Sequence, residues 1–201
     1  MQNGKIAQTE LTGTHLQVSS FPLSLNVEWL PASLVTIPDP YLKNWLLDTG
    51  SLTERLQSQC RKFELIKIGQ AECPLHPAEA QWLGETGESR WYVREVWLCG
   101  NGEPWVFARS VLPGTLVDSE LKNLGESPLG ARLFNDSRFQ RSDFQLCRLT
   151  GQDNGHSLSL GNRQALWGRR SRFRFEGSAM IVAEVFLPGA PAYQLKDTHG
   201  S

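Results

Sequence analysis

The chain has little of what marks several large protein classes. Its 201 residues carry 20 Lys+Arg against 21 Asp+Glu, a formal net charge of −1, so no surplus of either sign coats the molecule. A protein whose whole surface is a nucleic-acid footprint needs such a surplus, and nucleic acid is therefore not an expected partner. No apolar run approaches the ~18 residues that cross a bilayer, and stable membrane insertion is not expected. The opening MQNGKIAQTELTG has one lysine and no hydrophobic stretch behind it; it does not read as a signal peptide, which makes the cytoplasm the expected location. Cysteine is scarce: Cys60, Cys73, Cys99 and Cys147 are irregularly spaced in a chain long enough to bury a core without staples, and they read as reduced thiols. The motifs G-x-x-x-x-G-K-[ST], G-x-S-x-G and H-E-x-x-H are missing. Cys73-Pro-Leu-His76 has half the spacing of a zinc site but no second pair to complete it, so no metal is expected and the stretch reads as an exposed loop. What is present is 40% hydrophobic residues, enough for one soluble globular domain, and seven tryptophans, several beside arginines.

Residues 1–20 are polar without apolar periodicity and read as a flexible N-terminal arm; residues 21–193 form the folded domain, and 194–201 a flexible tail. Asp39-Pro40 is an N-cap with proline at the first helical position. Tyr41, Leu42, Trp45 and Leu46 then recur at helical spacing until Gly50. Ser51-Leu-Thr-Glu54 has the form of a capping box and starts a second short helix through Leu56. Beyond a connection rich in Pro and Gly the pattern becomes extended. Arg90–Leu98 and Trp105–Leu112 pair around Gly100-Asn101-Gly102 as a long hairpin. Short helices are expected at Ser119–Leu124 and at Ser127–Phe134, a strand at Asp143–Leu149, an exposed loop at Gly151–Asn162, and a last hairpin of Ser171–Phe175 with Met180–Leu187. The expected fold class is α+β, a single antiparallel β-sheet with short helices.

The informative residues are charges inside apolar strands. Arg94 alternates with Tyr92 and Val96, Arg109 shares a face with Trp105, Phe107 and Val111, and Glu184 with Met180, Val182 and Phe186. A charge so placed costs several kcal/mol unless paired or solvated. Either Glu184 pairs with an arginine on a wet sheet face, or two arginines and one carboxylate form a net positive pocket for an anionic ligand. The backbone N–H of Leu129, early in the Ser127-Pro128 helix, is a third donor for such an anion. Arg169-Arg170-Ser-Arg172-Phe-Arg174 looks like a nucleic-acid patch, although Arg172 and Arg174 share a strand face and also fit a solvated outer face.

These segments, in this order, resemble the bacterial chorismate lyase (chorismate–pyruvate lyase) family. The resemblance is carried by Ser89–Cys99, Gly102-Glu-Pro-Trp105 with Ala108-Arg109, Ser127-Pro-Leu-Gly130 with Leu133-Phe134, Leu166–Arg172 and Glu184-Val-Phe-Leu-Pro188, and covers roughly residues 38 to 193. It implies a cytosolic monomer needing no metal or organic cofactor, with helix-turn-helix flaps covering a buried ligand site. It implies conversion of chorismate to 4-hydroxybenzoate and pyruvate, the first committed step toward ubiquinone, and tight retention of the aromatic product. Residue by residue, it puts the ring carboxylate on Arg94 and the Leu129 amide, the ring hydroxyl on Glu184 and a second, internal arginine at Arg109. A flap contact at Leu52 matches by apolar character only. Arg94, Arg109 and Glu184 are then the catalytic set, with Glu184 a hydrogen-bond acceptor or a general base. The alternative is a non-catalytic domain of the same kind of fold that senses small carboxylates.

Overall fold

A computed structural model describes residues 21–23, 25, 27–84, 87–122, 128–150 and 165–194. The expected N-terminal arm, the Gly151–Asn162 loop and residues 195–201 of the tail lie outside the described residues. Eight strands form one antiparallel sheet: β1 (Leu30–Pro31), β2 (Phe63–Glu72), β3 (Trp91–Gly100), β4 (Glu103–Pro113), β5 (Gln140–Arg141), β6 (Gln145–Leu149), β7 (Leu166–Phe175) and β8 (Ser178–Phe186). Their order is β1-β6-β7-β8-β4-β3-β2, with β5 paired to β7 outside that path. The helices are short: α1 (Pro40–Leu46), α2 (Leu52–Gln57), α3 (Pro77–Leu83), α4 (Gly114–Asp118) and α5 (Leu129–Phe134). The architecture is the expected α+β. No helix among the described residues is long and apolar enough to cross a membrane.

Local sequence accounts for most boundaries. The Asp39 carboxylate accepts from the Tyr41 N–H at 2.9 Å and Pro40 occupies the first turn of α1; the Ser51 hydroxyl accepts from the Glu54 N–H at 3.3 Å and starts α2. Both long hairpins turn on two residues of positive φ, Asn101-Gly102 (53° and 84°) and Glu176-Gly177 (44° and 84°), the handedness that matches strand twist.

Four expectations are corrected. The helix expected at Ser119–Leu124 lies earlier, as α4: Pro113 precedes it and the Ser119 hydroxyl donates back to the Thr115 carbonyl at 2.8 Å, so this serine closes a helix that it was expected to open. The Pro/Gly-rich connection holds a helix: Cys73–His76 is a loop, as expected, but His76 and Pro77 then start α3, with Glu79 accepting from the His76 N–H at 3.1 Å. Strand β2 went unexpected because Glu64, Lys67 and Gly69 interrupt its apolar alternation; it runs along one edge of the sheet, bulged at Ile68 between Lys67 and Gly69. Finally, Trp105 is an extra residue between Pro104 (opposite Cys99) and Val106 (opposite Leu98), so it turns away from the face of Phe107 and Arg109.

The sheet is apolar on both faces. Its front carries α1, α2, α4 and α5: Leu42, Trp45, Leu46, Leu52 and Leu56 pack on Val96, Leu98, Val106 and Phe186, while Leu116, Leu129 and Leu133 pack on Leu112, Phe173 and Met180. Its back is covered by Leu23, Leu25 and α3, over Trp97, Phe107, Val111, Ile181 and Val185. The bulged Trp105 lies over Gly100, where a Cβ would come within 2.1 Å of the indole. Gly100→Ala is therefore expected to lower the unfolding free energy by about 2 kcal/mol, measured by denaturant titration, because neither backbone nor ring can yield without repacking the front core.

Candidate active site

Between the two apolar clusters of the front face runs a polar band two residues deep. Strand register places Gln70, Arg94, Ser110, Val182 and Ser171 in one row across β2, β3, β4, β8 and β7. The adjacent row on the same face holds Val96, Ala108, Glu184, Arg169 and Leu146. Leu52 enters from the cluster on one side of the band and Leu129 from the other, both buried. Their helices meet above it: a Cβ on Gly130 of α5 would sit 3.5 Å from Thr53 Oγ1 of α2.

Arg94 is 2% exposed, and its Nη1 donates to Gln70 Oε1 at 2.9 Å. Glu184 is half-buried. Its Oε2 accepts from Arg169 Nε at 2.7 Å, and among the described residues nothing engages Oε1. Arg169 also donates through Nη1 to the carbonyls of Trp45 (3.0 Å) and Asp48 (2.8 Å), so it completes the C-terminal end of α1 and ties it to the sheet. The next turn is held by Asp48. Burial works against its charge, but the Gly50 N–H and the Arg55 guanidinium outweigh that and hold its carboxyl below the ordinary range. Arg55 in turn stacks 3.7 Å above the Trp45 ring. The band thus presents a buried guanidinium and, two strands away, a carboxylate oxygen that none of the described residues engages. A small molecule with an anionic end and a hydroxyl end can bridge them.

The structure brings together Arg94, Glu184, Leu52 and Leu129, but not Arg109. Opposite Glu95 and Ala183 in the register, Arg109 points to the back face. There it donates to Glu79 (2.8 and 3.1 Å) and to Glu95 (2.8 Å), whose oxygens also take the Leu23 N–H at 2.8 and 3.0 Å. Burial pushes the Glu95 carboxyl up despite these bonds; it also opposes the charge of Arg109, but the two carboxylates prevail and hold that guanidinium charged. The expectation of one pocket with two arginines is therefore corrected. Apart from the bulged Trp105, residues of even number from Val106 onward in β4, and in β3 and β8, face front, and Arg109 is odd. A cavity of about 590 Å³ does lie on the back, lined by Arg109, Glu79, His76, Trp29 and Arg170 among others, and the sheet separates it from Arg94 and Glu184.

The arginine run of β7 divides between the faces. Arg169 goes front, while Arg170 goes back between Trp29 and Trp82, its pKa pushed down to about 10 by burial. Arg169 was missed as a site residue because β7 was expected to begin at Ser171. Extending the strand back to Leu166 and counting the hairpin register from the Glu176-Gly177 turn puts Arg169 opposite Glu184. Gln70, Ser110 and Ser171 carry no sequence signal of this kind.

The family model for chorismate lyase matches residues 23–197. A protein named "probable chorismate pyruvate-lyase" from Pseudoalteromonas atlantica is 44% identical over 180 residues, 87% of this chain and 93% of that one. One of the same name from Pseudomonas putida is 40% identical over 172 residues, 83% of this chain and 91% of that one. Among solved structures, PhnF from Mycobacterium smegmatis shares the fold at a TM-score of 0.50 and 15% identity, covering 71% of this chain and 65% of that one. Arg94, Glu184, Leu52 and Leu129 all lie within the matched span. The chain belongs to the chorismate lyase family.

Arg109→Ala leaves two carboxylates on the back face without their cation, and is expected to cost about 3–5 kcal/mol of stability. The loss should be larger near pH 8 than near pH 5, because the buried Glu95 carboxyl, already pushed up by burial, escapes part of the penalty by protonation once its cation is gone, and the folded state then holds more protons than the unfolded. Chemical denaturation at the two pH values measures it.

Proposed function

We propose that this protein is a chorismate lyase that eliminates pyruvate from chorismate and releases 4-hydroxybenzoate, without a cofactor. The observation that carries this reading is the meeting of Arg94 and the free Oε1 of Glu184 on one covered face, with Leu52 and Leu129 above them. These are the residues to which the family resemblance assigns the ring carboxylate, the ring hydroxyl and the flap contact. Two strand spacings, about 10 Å, separate the strands that carry Arg94 and Glu184. That span suits a ring with a carboxylate at one end and a hydroxyl at the other, with a hydrogen bond at each.

In the mechanism we infer, Arg94 and the Leu129 N–H hold the ring carboxylate, and Glu184 Oε1 accepts from the ring hydroxyl. The ether C–O bond then breaks, a ring proton is lost, and the ring becomes aromatic, so much of the driving force resides in the substrate. The protein orients the ring and balances the charge that develops on the departing enolpyruvate, with no covalent intermediate. Fixed by Arg169, Glu184 is positioned to act as acceptor or as general base. The α1–α2 and α4–α5 segments serve as flaps, and ligand exchange requires them to part. A cytoplasmic monomer supplying 4-hydroxybenzoate for ubiquinone fits this reading.

Purified protein mixed with chorismate should release 4-hydroxybenzoate, followed by absorbance, and pyruvate, followed with a coupled dehydrogenase, in equal amounts. Tight binding of 4-hydroxybenzoate with no pyruvate would overturn the proposal in favour of a carboxylate sensor. Arg94→Ala should lower kcat/KM by about 100-fold, through loss of a charge-assisted contact; near-normal turnover in that variant removes Arg94 from its role. Turnover in deuterium oxide distinguishes the two parts for Glu184: a solvent-exchanging base labels the methyl group of pyruvate, whereas internal transfer of the ring proton leaves it unlabelled.

A further inference from the structure

With Arg109 on the back face, the second carboxylate of the substrate has no assigned partner. Chorismate carries this group on an enolpyruvyl ether, attached to the ring carbon next to the one bearing the hydroxyl. If Arg94 takes the ring carboxylate and Glu184 the hydroxyl, the side-chain carboxylate lies beside or beyond Glu184, on the side away from Arg94. The strand order running that way is β3, β4, β8, β7 and then β5.

Two groups there are unaccounted for by the fold. Ser171 stands on β7 one residue pair from Arg169, on the front face, 3% exposed, and its Oγ has no hydrogen-bond partner among the described residues. A buried hydroxyl without a partner has lost its hydrogen bond to water, and an arriving acceptor restores it. The other is Arg141 of β5, which pairs with Phe173 and so shares the front face. Its guanidinium lies 4.7 Å from the Phe144 ring and 5.5 Å from Phe134 of α5, with no hydrogen bond or ion pair among the described residues. Arg169 lies 4.8 Å from the same Phe144 ring, so the two cations are close neighbours. Burial and Arg169 both act against the charge on Arg141. The carboxylates near enough to offset them are Glu184 and Asp48, and these already hold Arg169 and Arg55. Arg141 is thus a half-desolvated cation, oriented by aromatic rings, whose nearby carboxylates are each already held by another arginine.

We propose that Arg141 and the Ser171 hydroxyl form the subsite for the side-chain carboxylate of the substrate, one strand and more beyond Glu184. The assignment rests on the lyase reading of the front face and completes it. Arg94 and Arg141 clamp the two ends of a dianion, with the scissile ether between them next to Glu184. The departing pyruvate then forms against Arg141, while the aromatic product keeps only the Arg94 and Glu184 contacts.

The product lacks the side-chain carboxylate, and that difference supplies the test. Arg141→Met should lower kcat/KM for chorismate by about 30-fold or more, and Ser171→Ala by about fivefold, while both variants hold 4-hydroxybenzoate within about twofold of the wild type, read by tryptophan fluorescence titration. Arg141→Lys, which keeps the charge without the fork, should recover part of the loss. Unchanged kcat/KM in Arg141→Met overturns the subsite and leaves the lyase reading intact. An equal loss of chorismate and 4-hydroxybenzoate affinity also overturns it, since a merely structural role disturbs both ligands alike. Absence of pyruvate release by the wild-type protein fells the lyase reading and this subsite with it.

Discussion

Four arginines, Arg94, Arg109, Arg169 and Arg170, lie buried on a single sheet, and the need to compensate them organises what surrounds it. A guanidinium taken out of water costs several kcal/mol unless its donors are met. On the back, Arg109 is met by Glu79 and Glu95, which draws α3 and the Leu23 amide onto the sheet. On the front, Arg169 is met by Glu184 and by two carbonyls at the end of α1, which ties the α1–α2 hairpin above the polar band. Arg170 settles between two indoles with Gln145 as its acceptor. Each compensation also fixes a piece of chain that carries no long helix of its own.

This accounts for the tryptophan surplus beside the arginines. Trp45 supplies a carbonyl to Arg169 and a ring to Arg55, and Trp82 and Trp29 flank Arg170. The rings offer guanidinium groups an apolar yet electrostatically favourable wall, so the cations stay charged away from bulk water. In the proposed reaction that environment matters more than any nucleophile: the substrate is a dianion, and its cleavage redistributes charge inside a low-dielectric site where preoriented donors act most strongly.

Much of the fold was legible because the signals are local. The Asp39-Pro40 and Ser51–Glu54 caps, the Asn101-Gly102 and Glu176-Gly177 turns and the alternation in β3, β4 and β8 depend on residues within a few positions of each other. Legibility failed where the determinant lay elsewhere. Strand β2 forms because β3 offers it an edge, despite Lys67 and Gly69 in its pattern. The single extra residue at Trp105 reverses the facing of one large side chain, which no period-two count from Phe107 can anticipate.

The site divides in the same way. Sequence by itself determined that Arg94, Arg109 and Glu184 sit mid-strand among apolar neighbours and must each be paired or solvated, because alternation and the cost of burial are properties of the strand alone. Resemblance added which of them meet ligand. Only the tertiary structure decided that Arg109 answers to Glu79 and Glu95 on the far side of the sheet, that Arg169 reaches the carbonyls at the end of α1, and that, among the described residues, Ser171 and Arg141 stand beyond Glu184 without a hydrogen-bond or ion-pair partner. Which face a strand turns toward its neighbours, and which distant carboxylate arrives there, depend on pairing between segments far apart in the chain, such as β4 and β8, whose partners Ala108 and Glu184 are 76 residues apart. Local chemistry announces the charges; register assigns their company.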